Sequence, residues 1–507
     1  MKLVSCDMIP EIDRFAVEFI GIAPEALMKR SARGCERVLR ERVEKGKRIV
    51  ILAGKGNNGG DGYALATLLY EDYDVTVVDI FSSGQRTEEG QYYYSKYLDL
   101  GGTLIKGGEF DPKALLLADA VVDAIFGTGF VGEIPTELSE CSKYLRAASA
   151  FKLAIDVPLG IKSDTGEVYP EFLYTPTVTV CLSYPKVGLM SYPAKEYVGE
   201  LVIDNLSLPK ETVEREFSFD SFALDEEALK DVIPPRPENS NKGSFGKVLM
   251  LSGSDKYRGA AHLSLEAALR GGAGLVHFFG EKELCYELRQ KFPEAIYTVS
   301  AKESVSDIDA FIALSESASS ILIGPGCGRS LWLYDLVKRL LALEGCPLIL
   351  DADAINVLSE HRFEVLDILR HSARKVVLTP HPLEFARLIG RDVGDVQSAR
   401  LRLAREFSSD TLAILVLKGA GTVVTDGRTT YINTTGSSAL AKGGSGDVLA
   451  GLIASLSAFG DPLYSAASGV YLHGLAADTL SGELSEYATT PSDLPREIGK
   501  QISKILK

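Results

Sequence analysis

The sequence predicts an α/β protein with more than one domain, and three observations lead to this prediction. The chain of 507 residues is longer than one hydrophobic core usually supports. Its composition, 46% hydrophobic and 24% charged, is that of an ordinary globular protein. Short β-like runs alternate with helical stretches along most of its length, which is typical of parallel sheets covered by helices.

The first alternating series occupies residues 1–205. Its successive runs are RIVILA, GYALATLLYE, DVTVVDIF, EGQYYYSKYLDLG, AVVDAIFG, CSKYLRAASA, FKLAIDVPLG and TPTVTVCLSYP. Runs rich in β-branched residues predict strands, and the longer runs between them predict helices. Several strand runs end in glycine-rich or acidic turns, which form the ligand-binding edge of such sheets. We therefore expect a first α/β domain at 1–205.

A polar, proline-bearing passage follows, and we place a linker in it at residues 206–223. A second series then begins. It contains KVLMLSGS, LSLEAALRGGAG, LVHFFG, SILIGPG, PLILDADAINVL, KVVLTPHPLEFARLIG, LAILVLKGAG, TVVTDG and GDVLAGLIASLSAFG. The alternation predicts a second α/β domain over residues 224–507.

Charge and cysteine usage exclude several classes of function. The net charge of −15 argues against nucleic acid or an anionic membrane as the main partner, because both require a basic face. No apolar run reaches the ~18 residues that a membrane span needs, and the first residues lack the apolar core of a signal peptide. The seven cysteines are scattered singly, without a C-x-x-C pair. We expect a cytoplasmic protein with no nucleic-acid or membrane partner.

The histidines limit the acid-base chemistry of the first domain. All six lie between His262 and His473. Any proton transfer in the first domain must therefore use a carboxylate, lysine, tyrosine or cysteine.

The stretch GKGNNGGDG is a glycine loop of the kind that binds dinucleotides. Gly54, Gly56 and Gly59 satisfy G-x-G-x-x-G between a predicted strand and a predicted helix, and Asp79 ends the next strand run. On this spacing alone the domain would be a dehydrogenase.

The other residues of the loop argue for a different ligand. Asn57, Asn58 and the acidic Asp61 crowd the helix start and would repel a pyrophosphate there. The turns VDAIFGTG and IDVPLG add Asp123 and Asp156 at the same edge of the predicted sheet. Amide and carboxylate oxygens suit a hard or alkali cation, for which Asn58 and Asp123 are the candidates. For any one loop, a tight turn with a helix-capping aspartate is the alternative.

The motifs GNNGGDG, VDAIFGTG and IDVP together resemble those of the NAD(P)H-hydrate epimerase domain, over roughly residues 1–205. The resemblance implies a Rossmann-like three-layer αβα domain that binds a hydrated, damaged nicotinamide cofactor. It implies Asp156 as the catalytic group and a K⁺ site at Asn58, Asp123 and Leu159. The implied substrate contacts are Asn57, Asn58, Gly59, Gly60, Asp61, Gly127, Thr128, Gly129, Phe130, Val131, Gly132, Glu133 and Asp156.

Two positions depart from this family's pattern. The family usually has serine where this chain has Leu159, so only the backbone carbonyl of Leu159 can contact the cation. The helix motif LMENA reads LMKRS here, at residues 27–31. Neither change alters Asp156.

The second domain carries a phosphate-binding turn that is not a P-loop. No G-x-x-x-x-G-K-[ST] occurs, but AKGGSGD at residues 441–447 runs directly into the apolar stretch VLAGLIASL. Small residues at a helix start leave NH groups free for a transferring phosphoryl group, and Asp447 can accept a proton from an attacking hydroxyl. The alternative is a flexible turn with Asp447 as a helix cap. By itself, His381 is more typical of a hydrogen-bonded loop histidine than of a catalyst.

Six motifs of the second domain, GAAHLS, GPGCG, LDADAIN, TPHPLE, KGAGT and AKGGSGD, resemble those of the ADP- or ATP-dependent NAD(P)H-hydrate dehydratase family, a branch of the ribokinase-like fold, over about residues 224–507. The resemblance implies Asp447 as the catalytic residue. The implied substrate contacts are Ala261, Gly326, His381 and Asp447. The implied nucleotide contacts are Lys418, Gly419, Ala420, Gly421, Thr422 and Gly446. Leu383 replaces the family's usual glycine, and we expect it to narrow the pocket.

Both resemblances imply one function, the repair of the hydrated cofactors NADHX and NADPHX. The first domain would interconvert the R and S hydrates, and the second would dehydrate the S hydrate with ADP, giving AMP and phosphate. Prokaryotic two-domain members of the family are ADP-dependent, although ATP stays open as the donor. We expect Mg²⁺ for phosphoryl transfer, K⁺ in the epimerase domain, and a homo-oligomer, a tetramer or larger.

Three other interpretations remain open from the sequence. The chain could be a vitamin or sugar kinase of the ribokinase-like fold with an N-terminal binding module. The N-terminal half could be a binding or scaffolding module without activity of its own. The glycine spacing also leaves a plain dehydrogenase possible.

Overall fold

The computed structural model describes residues 1–81, 84–130, 132–229, 233 and 235–506. It divides into two compact units. One is Lys2–Ser221, and the other is Phe222–Lys507 together with Met1.

The first unit is a parallel sheet between two layers of helices. The strands of this sheet are β2 (Arg48–Ala53), β3 (Asp74–Asp79), β4 (Thr103–Lys106), β5 (Ala120–Ala124), β6 (Phe151–Ile155), β7 (Val178–Leu182) and β8 (Glu200–Asp204), and the short strand β1 (Lys2–Leu3) lies outside it. Its α-helices are α1 (Met8–Glu18), α2 (Pro24–Arg42), α3 (Asn57–Leu69), α4 (Glu88–Asp99), α5 (Leu138–Ala147) and α6 (Lys210–Glu216). The strand order is β4-β3-β2-β5-β6-β7-β8, with every neighbouring pair parallel.

The sheet of this unit contributes to an apolar core on each face, because side chains alternate along a strand. In β2, Ile49 and Ile51 belong to a core that includes residues of α2, α3 and α4, whereas Val50 and Leu52 belong to a second core that includes α5. The chain order reverses between β2 and β5. Ligands of such sheets bind at this reversal, outside the carboxyl ends of the strands.

The second unit is built on a larger mixed sheet. Its strands are β9 (Ser221–Ala223), β10 (Lys247–Leu251), β11 (Leu275–Gly280), β12 (Ile296–Val299), β13 (Ser320–Ile323), β14 (Leu348–Leu350), β15 (Val376–Leu378), β16 (Ile414–Leu417), β17 (Val423–Thr425) and β18 (Thr430–Ile432). The strand order in this unit is β9-β18-β17-β16-β15-β14-β13-β10-β11-β12. The neighbouring pairs from β16 to β12 are parallel, and β17 is antiparallel to both β16 and β18.

The helices of the second unit lie mostly between consecutive strands. They are α7 (Glu226–Leu229), α8 (Arg258–Arg270), α9 (Lys282–Lys291), α10 (Val305–Ser315), α11 (Leu331–Leu341), α12 (Asp353–Glu360), α13 (Arg362–Arg370), α14 (Pro382–Ile389), α15 (Val393–Ser398), α16 (Arg400–Thr411), α17 (Ser445–Ser457), α18 (Pro462–Leu484) and α19 (Leu494–Ile505). The chain order of the sheet reverses between β10 and β13.

Helix α17 is the central helix of this unit. Every residue from Val448 to Ser457 is buried, and the helix packs against both α8 and α18. A helix that is apolar all round belongs to a protein interior. The packing of α17 therefore fixes the position of its first turn, which contains the last residues of AKGGSGD. Both units confirm the predicted α/β class, and in the described residues no helix is both long and apolar enough to cross a membrane.

The passage interpreted as a linker, residues 206–223, is folded. It contains α6, whose Val213 is fully buried in the core of the first unit, and it ends in β9. Two apolar residues explain why this polar passage folds. Leu208 and Val213 are both buried, although the residues around them are mostly polar.

Candidate active sites

The glycine loop after β2 is a tight turn into α3. A Cβ at Gly59 would overlap the backbone of Gly54, and a Cβ at Gly54 would overlap the carbonyl of Ile125. Asn58 lies in the first turn of α3, where its Nδ2 donates to the Phe126 carbonyl at 2.7 Å. The side chain of Asn58 thus ties the loop after β2 to the loop after β5, across the reversal of the sheet.

Asp156 follows β6 and forms a buried ion pair that the sequence did not predict. Its φ of 65° lies in the left-handed region, which is uncommon for a residue other than glycine and is found at functional sites. Oδ1 of Asp156 contacts Nζ of Lys186, whose side chain is 0% exposed. Lys186 Nζ also donates to the Leu182 carbonyl at 2.8 Å, and the Leu182 NH donates to Asp156 Oδ1 at 3.2 Å.

Lys186 remains protonated in this environment. Burial would lower the pKa of Lys186, but the charge of Asp156 opposes this and the pKa lies above its usual value. In the sequence, Lys186 is the one charged residue in the run VTVCLSYPKVGLM. A lysine is almost never fully buried unless it is paired, so its place in an apolar run was the available signal.

Two further carboxyl groups lie in the electrostatic environment of this pair. Burial, followed by the charges of Asp156 and Asp13, raises the pKa of Asp61 well above its usual value, against a hydrogen bond from Ser31. Burial raises the pKa of Asp13 in α1 to about 6. The shift favours the protonated form of Asp61, in which the carboxyl group can donate a hydrogen bond. Ser31 belongs to the LMKRS segment, so its contact with Asp61 gives that helix a role at the site.

Asp123, at the end of β5, is held by three hydrogen bonds. Its Oδ2 accepts from the Leu159 NH and the Tyr174 hydroxyl, both at 2.8 Å, and its Oδ1 accepts from the Ile125 NH at 3.1 Å. Burial raises the pKa of Asp123 although these three bonds lower it. The side chain of Leu159 packs in the apolar core, so only its carbonyl is available to a ligand.

The oxygen atoms at this edge fit a potassium ion. Oδ1 of Asn58 is buried and has no hydrogen-bond partner among the described residues. Asp123 offers carboxylate oxygens that can accept further contacts, and Leu159 offers its carbonyl. An unpartnered buried amide oxygen is costly unless a ligand satisfies it.

The loop after β5 passes close to both Asn58 and Asp156. A Cβ at Gly127 would lie 3.3 Å from the Asn58 Cβ and 3.5 Å from the Asp156 Oδ2. The remaining expected substrate contacts differ in exposure. Gly59 and Gly60 are buried, Thr128 and Phe130 are half-buried, Asn57, Gly129, Gly132 and Glu133 are exposed, and Val131 lies outside the described residues.

Asp79 does not match the role of a dinucleotide-binding acid. In that role the carboxylate would accept a hydrogen bond from a ribose hydroxyl. Here Asp79 forms an ion pair with Arg86, and its side chain is 5% exposed. The pairing argues against a plain dehydrogenase.

In the second unit, the AKGGSGD turn leads into α17 as the sequence predicted, but its lysine has a structural contact. Gly444 has a φ of 105°, a conformation that favours glycine. Nζ of Lys442 donates to the carbonyl of Tyr487 at 2.7 Å and also to that of Thr489. The ammonium group of Lys442 therefore anchors a neighbouring loop, and the candidate cation for phosphate must be another residue.

Lys418 is the candidate cation. It follows β16, and its Nζ pairs with Asp351 Oδ1 at 2.8 Å. A Cβ at Gly446 would lie 3.2 Å from the same Nζ, so the ammonium group lies directly beside the first turn of α17. Burial would lower the pKa of Lys418, but Asp351 and Glu384 outweigh it and raise the pKa.

Asp447 lies in the first turn of α17 with a pKa near neutrality. Burial, followed by the charges of Asp351 and Asp353, raises the pKa of Asp447 to about 7, while Lys418 opposes the shift. General bases work best with a pKa close to the working pH. The environment of Asp447 therefore suits a residue that takes and returns a proton.

His381 caps a helix. Its Nδ1 accepts from the NH groups of Leu383 at 3.2 Å and Glu384 at 3.3 Å, at the start of α14. Burial, followed by the charge of Lys418, lowers the pKa of His381, so the ring is neutral. The side chain is 47% exposed, and its Nε2 lies 3.4 Å from Glu384 Oε1. Leu383 is itself exposed.

The other expected substrate contacts lie at the reversal between β10 and β13. Gly326 has a φ of 62°, and a Cβ there would crowd Tyr257 and Ala260 at the start of α8. Ala261 is fully buried, and a Cβ at Gly253 would lie 2.6 Å from the Ala261 Cβ. The loops after β10 and β13 therefore meet over the start of α8.

The expected nucleotide loop is an open turn after β16. Gly419 and Gly421 have φ values of 131° and 56°, and Thr422 Oγ1 donates to the Gly419 carbonyl at 2.9 Å. Gly419 and Ala420 are exposed. Arg400 Nη2 donates to the Lys418 carbonyl at 3.0 Å, which fixes the start of the turn.

The buried histidine His473 contacts the AKGGSGD turn and predicts a loss of stability at acid pH. Burial lowers the pKa of His473 in α18 to about 4, despite a hydrogen bond with the backbone of Ser445. The unfolded chain protonates near 6.5, so His473 contributes stability above about pH 6.5, and this is lost as pH falls towards 4. Through His473, the free energy of unfolding of wild type should fall by roughly 2–3 kcal/mol between about pH 6.5 and about pH 4. We expect this fall to be absent from His473→Gln.

The measurement is the difference in unfolding free energy between wild type and variant across that window. His371→Gln is the matched control, because the side chain of His371 is 75% exposed. A wild-type minus His473→Gln difference that stays flat from about pH 7 to about pH 4 would contradict the prediction.

Comparisons with known proteins agree with both halves of the sequence interpretation. A family described as NAD(P)H-hydrate dehydratase matches residues 248–502, and a family described as YjeF-related protein N-terminus matches residues 24–188. The first match alone covers half of the chain.

Curated relatives match nearly the whole chain. The bifunctional NAD(P)H-hydrate repair enzyme Nnr of Moorella thermoacetica is 35% identical over 97% of this chain and 95% of its own length. The Nnr enzymes of Coxiella burnetii and Escherichia coli are 33% and 30% identical, each over 96% of this chain and over 96% and 91% of their own lengths.

Among solved structures, a ribokinase-like superfamily protein from Enterococcus faecalis is similar to part of the chain. It is 28% identical with a TM-score of 0.50, and the match covers 57% of this chain and 98% of that protein. These comparisons confirm both resemblances drawn from the sequence and the ribokinase-like fold. The chain belongs to the family of bifunctional NAD(P)H-hydrate repair enzymes.

Proposed function

We propose that this chain epimerises the R and S forms of NADHX and NADPHX at residues 1–205 and dehydrates the S form with ADP at residues 224–507. The observation that carries the dehydratase assignment is Asp447, with a pKa of about 7, beside the ammonium group of Lys418 at the start of α17. The observation that supports the epimerase assignment is the buried pair of Asp156 and Lys186.

In the first site, the ion pair of Asp156 and Lys186 holds one transferable proton, which passes from the Lys186 ammonium group through Asp156 to the C6 hydroxyl of the hydrate and returns by the same route. The hydroxyl leaves as water when it is protonated, because the lone pair of the adjacent ring nitrogen expels it and leaves a planar iminium. Water then adds to either face of the ring and returns a proton to Asp156, which gives the R or the S hydrate. Lys186 orients Asp156 through their ion pair.

Asp61 and the potassium ion support binding rather than proton transfer. Burial favours the protonated form of Asp61, which would donate a hydrogen bond to a polar group of the substrate. K⁺ would be held by Asn58 Oδ1, Asp123 and the Leu159 carbonyl, and it would supply a fixed positive charge for the anionic cofactor.

In the second site, the C6 hydroxyl of the S hydrate attacks the β-phosphorus of ADP. The new C6–O–P bond forms as the bond to AMP breaks, and Asp447 accepts the hydroxyl proton. Lys418 and the free NH groups of the first turn of α17 stabilise the charge on the transferring group.

The phosphorylated hydrate then loses phosphate. The ring nitrogen lone pair expels phosphate from C6, and loss of a proton from C5 forms the C5=C6 double bond of NADH or NADPH. The sum is hydrate plus ADP giving NAD(P)H, AMP and phosphate, so the elements of water leave as part of the phosphate. A vitamin or sugar kinase would stop at a stable phosphate ester.

Mg²⁺ is proposed to arrive with the nucleotide. Within the described part of the chain, no group of three or more His, Cys, Asp or Glu side chains could hold a metal ion. Mg²⁺ at such sites is bound largely by substrate phosphates and water. The expected nucleotide contacts run from Lys418 to Thr422 and include Gly446, and the expected substrate contacts are Ala261, Gly326, His381 and Asp447.

We expect recovery of the NAD(P)H chromophore from mixed R and S hydrate when purified protein, Mg²⁺ and ADP are supplied. Complete recovery supports both activities, because the dehydratase acts on S alone and R must first be converted. ATP in a parallel reaction identifies the donor. Recovery of the S fraction alone would contradict the epimerase assignment, and a stable phosphate ester without recovery would favour the kinase.

Assembly and location are further proposals. We infer a homo-oligomer, a tetramer or larger, from the resemblance to the family. A reducing, cytoplasmic location is supported by the seven cysteines, which are all free.

A further inference from the structure

Three neighbouring strands of the second unit are each followed by a polar residue, and the side chains of these three residues meet at Oδ1 of Asp351. Asp351, Thr379 and Lys418 are the first residues after β14, β15 and β16, which lie side by side in the sheet. Asp351 Oδ1 accepts from Thr379 Oγ1 at 2.7 Å and pairs with Lys418 Nζ at 2.8 Å. The exposed fraction of the Asp351 side chain is 2%.

The backbone beside Asp351 is strained. Ala352 has a φ of 48° and a ψ of −110°, a conformation that residues other than glycine rarely adopt. Strain of this kind persists only where the surrounding structure enforces it, and it is concentrated at functional sites. The turn thus fixes Asp351 at the carboxyl edge of the sheet.

We propose that Asp351 is the positioning residue that holds Lys418 in its charged form beside the first turn of α17, where the Lys418 ammonium group contacts the phosphoryl group in transfer. This inference rests on the proposed dehydratase function. Asp351 acts through Lys418 rather than on the substrate, because its side chain is 2% exposed and its Oδ1 is occupied by Thr379 and Lys418.

The surroundings of Lys418 explain why it needs this partner. Glu384 in α14, Asp447 in α17 and the neutral rings of His381 and His473 also face it, and Arg400 binds its carbonyl. Asp351 is the carboxylate in direct contact. Burial lowers the pKa of Lys418 and Asp351 raises it, so removing the Asp351 charge lets Lys418 lose its proton at a lower pH.

The test is the pH profile of kcat for ADP-dependent dehydration of the S hydrate by full-length Asp351→Asn. Asparagine keeps an oxygen for Thr379 and Lys418 but removes the charge. We expect a decline at alkaline pH absent from wild type, with kcat falling about tenfold between about pH 7 and about pH 9, and an unchanged KM for the hydrate. Thr379→Val, which removes the hydrogen bond but keeps the charge, should retain the wild-type profile.

A second variant separates charge from folding. Arginine stays protonated at any working pH, so adding Lys418→Arg to Asp351→Asn should remove the alkaline decline. Wild-type pH dependence in Asp351→Asn, or an alkaline decline that persists with Lys418→Arg, would overturn the inference. If Asp351→Asn does not fold, Asp351→Glu is measured instead, because it keeps the carboxylate charge. Its kcat, relative to its own value at about pH 7, must not decline towards about pH 9, and an alkaline decline in this variant overturns the inference. Wild-type protein without ADP-dependent activity would instead contradict the proposed function.

Discussion

Asp447→Asn is expected to lose roughly 10²- to 10⁴-fold in kcat for ADP-dependent dehydration, because the variant cannot accept the hydroxyl proton. The variant keeps the size and hydrogen-bonding capacity of the side chain. Wild-type kcat should rise with pH through about 7 as Asp447 ionises, and this rise should be absent from the residual activity of the variant. The measurement is the rate of NAD(P)H recovery from pure S hydrate.

The same substitution should increase the stability of the protein. The pKa of Asp447 is raised from 3.8 to about 7 in the folded protein, so folding favours the protonated side chain. The stability of wild type therefore falls as pH rises from about 4 through 7, because the folded protein must then ionise Asp447 in its buried position. At about pH 8 we expect Asp447→Asn to unfold with a free energy about 1–3 kcal/mol higher than that of wild type. Activity and stability therefore change in opposite directions, which a general structural defect would not produce.

Asp392→Asn is the control for this pair of measurements. Asp392 is exposed and makes no side-chain hydrogen bond at the start of α15. The activity and stability of Asp392→Asn should match those of wild type. Asp447→Asn with kcat within tenfold of wild type would refute Asp447 as the base.

The sequence predicted the elements that depend on local pattern. Alternating apolar runs gave the two α/β units, and the turns at Gly54, Asp123 and Gly444 lie at the strand ends or helix starts expected of them. These features follow from residues close together in the chain, since side-chain period and glycine spacing set them.

Ion pairs between distant residues could not be predicted in this way. Lys186 lies 30 residues after Asp156, and Lys418 lies 67 residues after Asp351. Each pair depends on which strands become neighbours, and each lysine is buried only in the folded unit. Lys442 of the AKGGSGD motif likewise binds residues that are distant in the chain, the carbonyls of Tyr487 and Thr489.

Asp156→Asn is expected to reduce epimerisation by roughly 10²- to 10⁴-fold while dehydration of pure S hydrate continues at the wild-type rate. With mixed hydrate, only the S fraction should then be recovered rapidly. Wild-type recovery from mixed hydrate would refute the role of Asp156 and favour an inactive binding module over the proposed epimerase. Glu171→Gln, at an exposed position of the same unit, is the control.

Stability distinguishes loss of chemistry from loss of structure in this site. Asp156→Asn leaves the fully buried Lys186 without its counter-charge, which costs about 3–5 kcal/mol when one partner of a buried pair is removed. Adding Lys186→Met removes the uncompensated charge and should recover most of that free energy of unfolding, because apolar replacement of a whole buried pair is close to neutral. Epimerisation should stay absent in the stable double variant, since neither the proton carrier nor its partner remains. A double variant that recovers both stability and epimerisation would place the proton transfer on another group. Asp61 is the candidate, because it is buried and the charge of Asp156 contributes to its raised pKa.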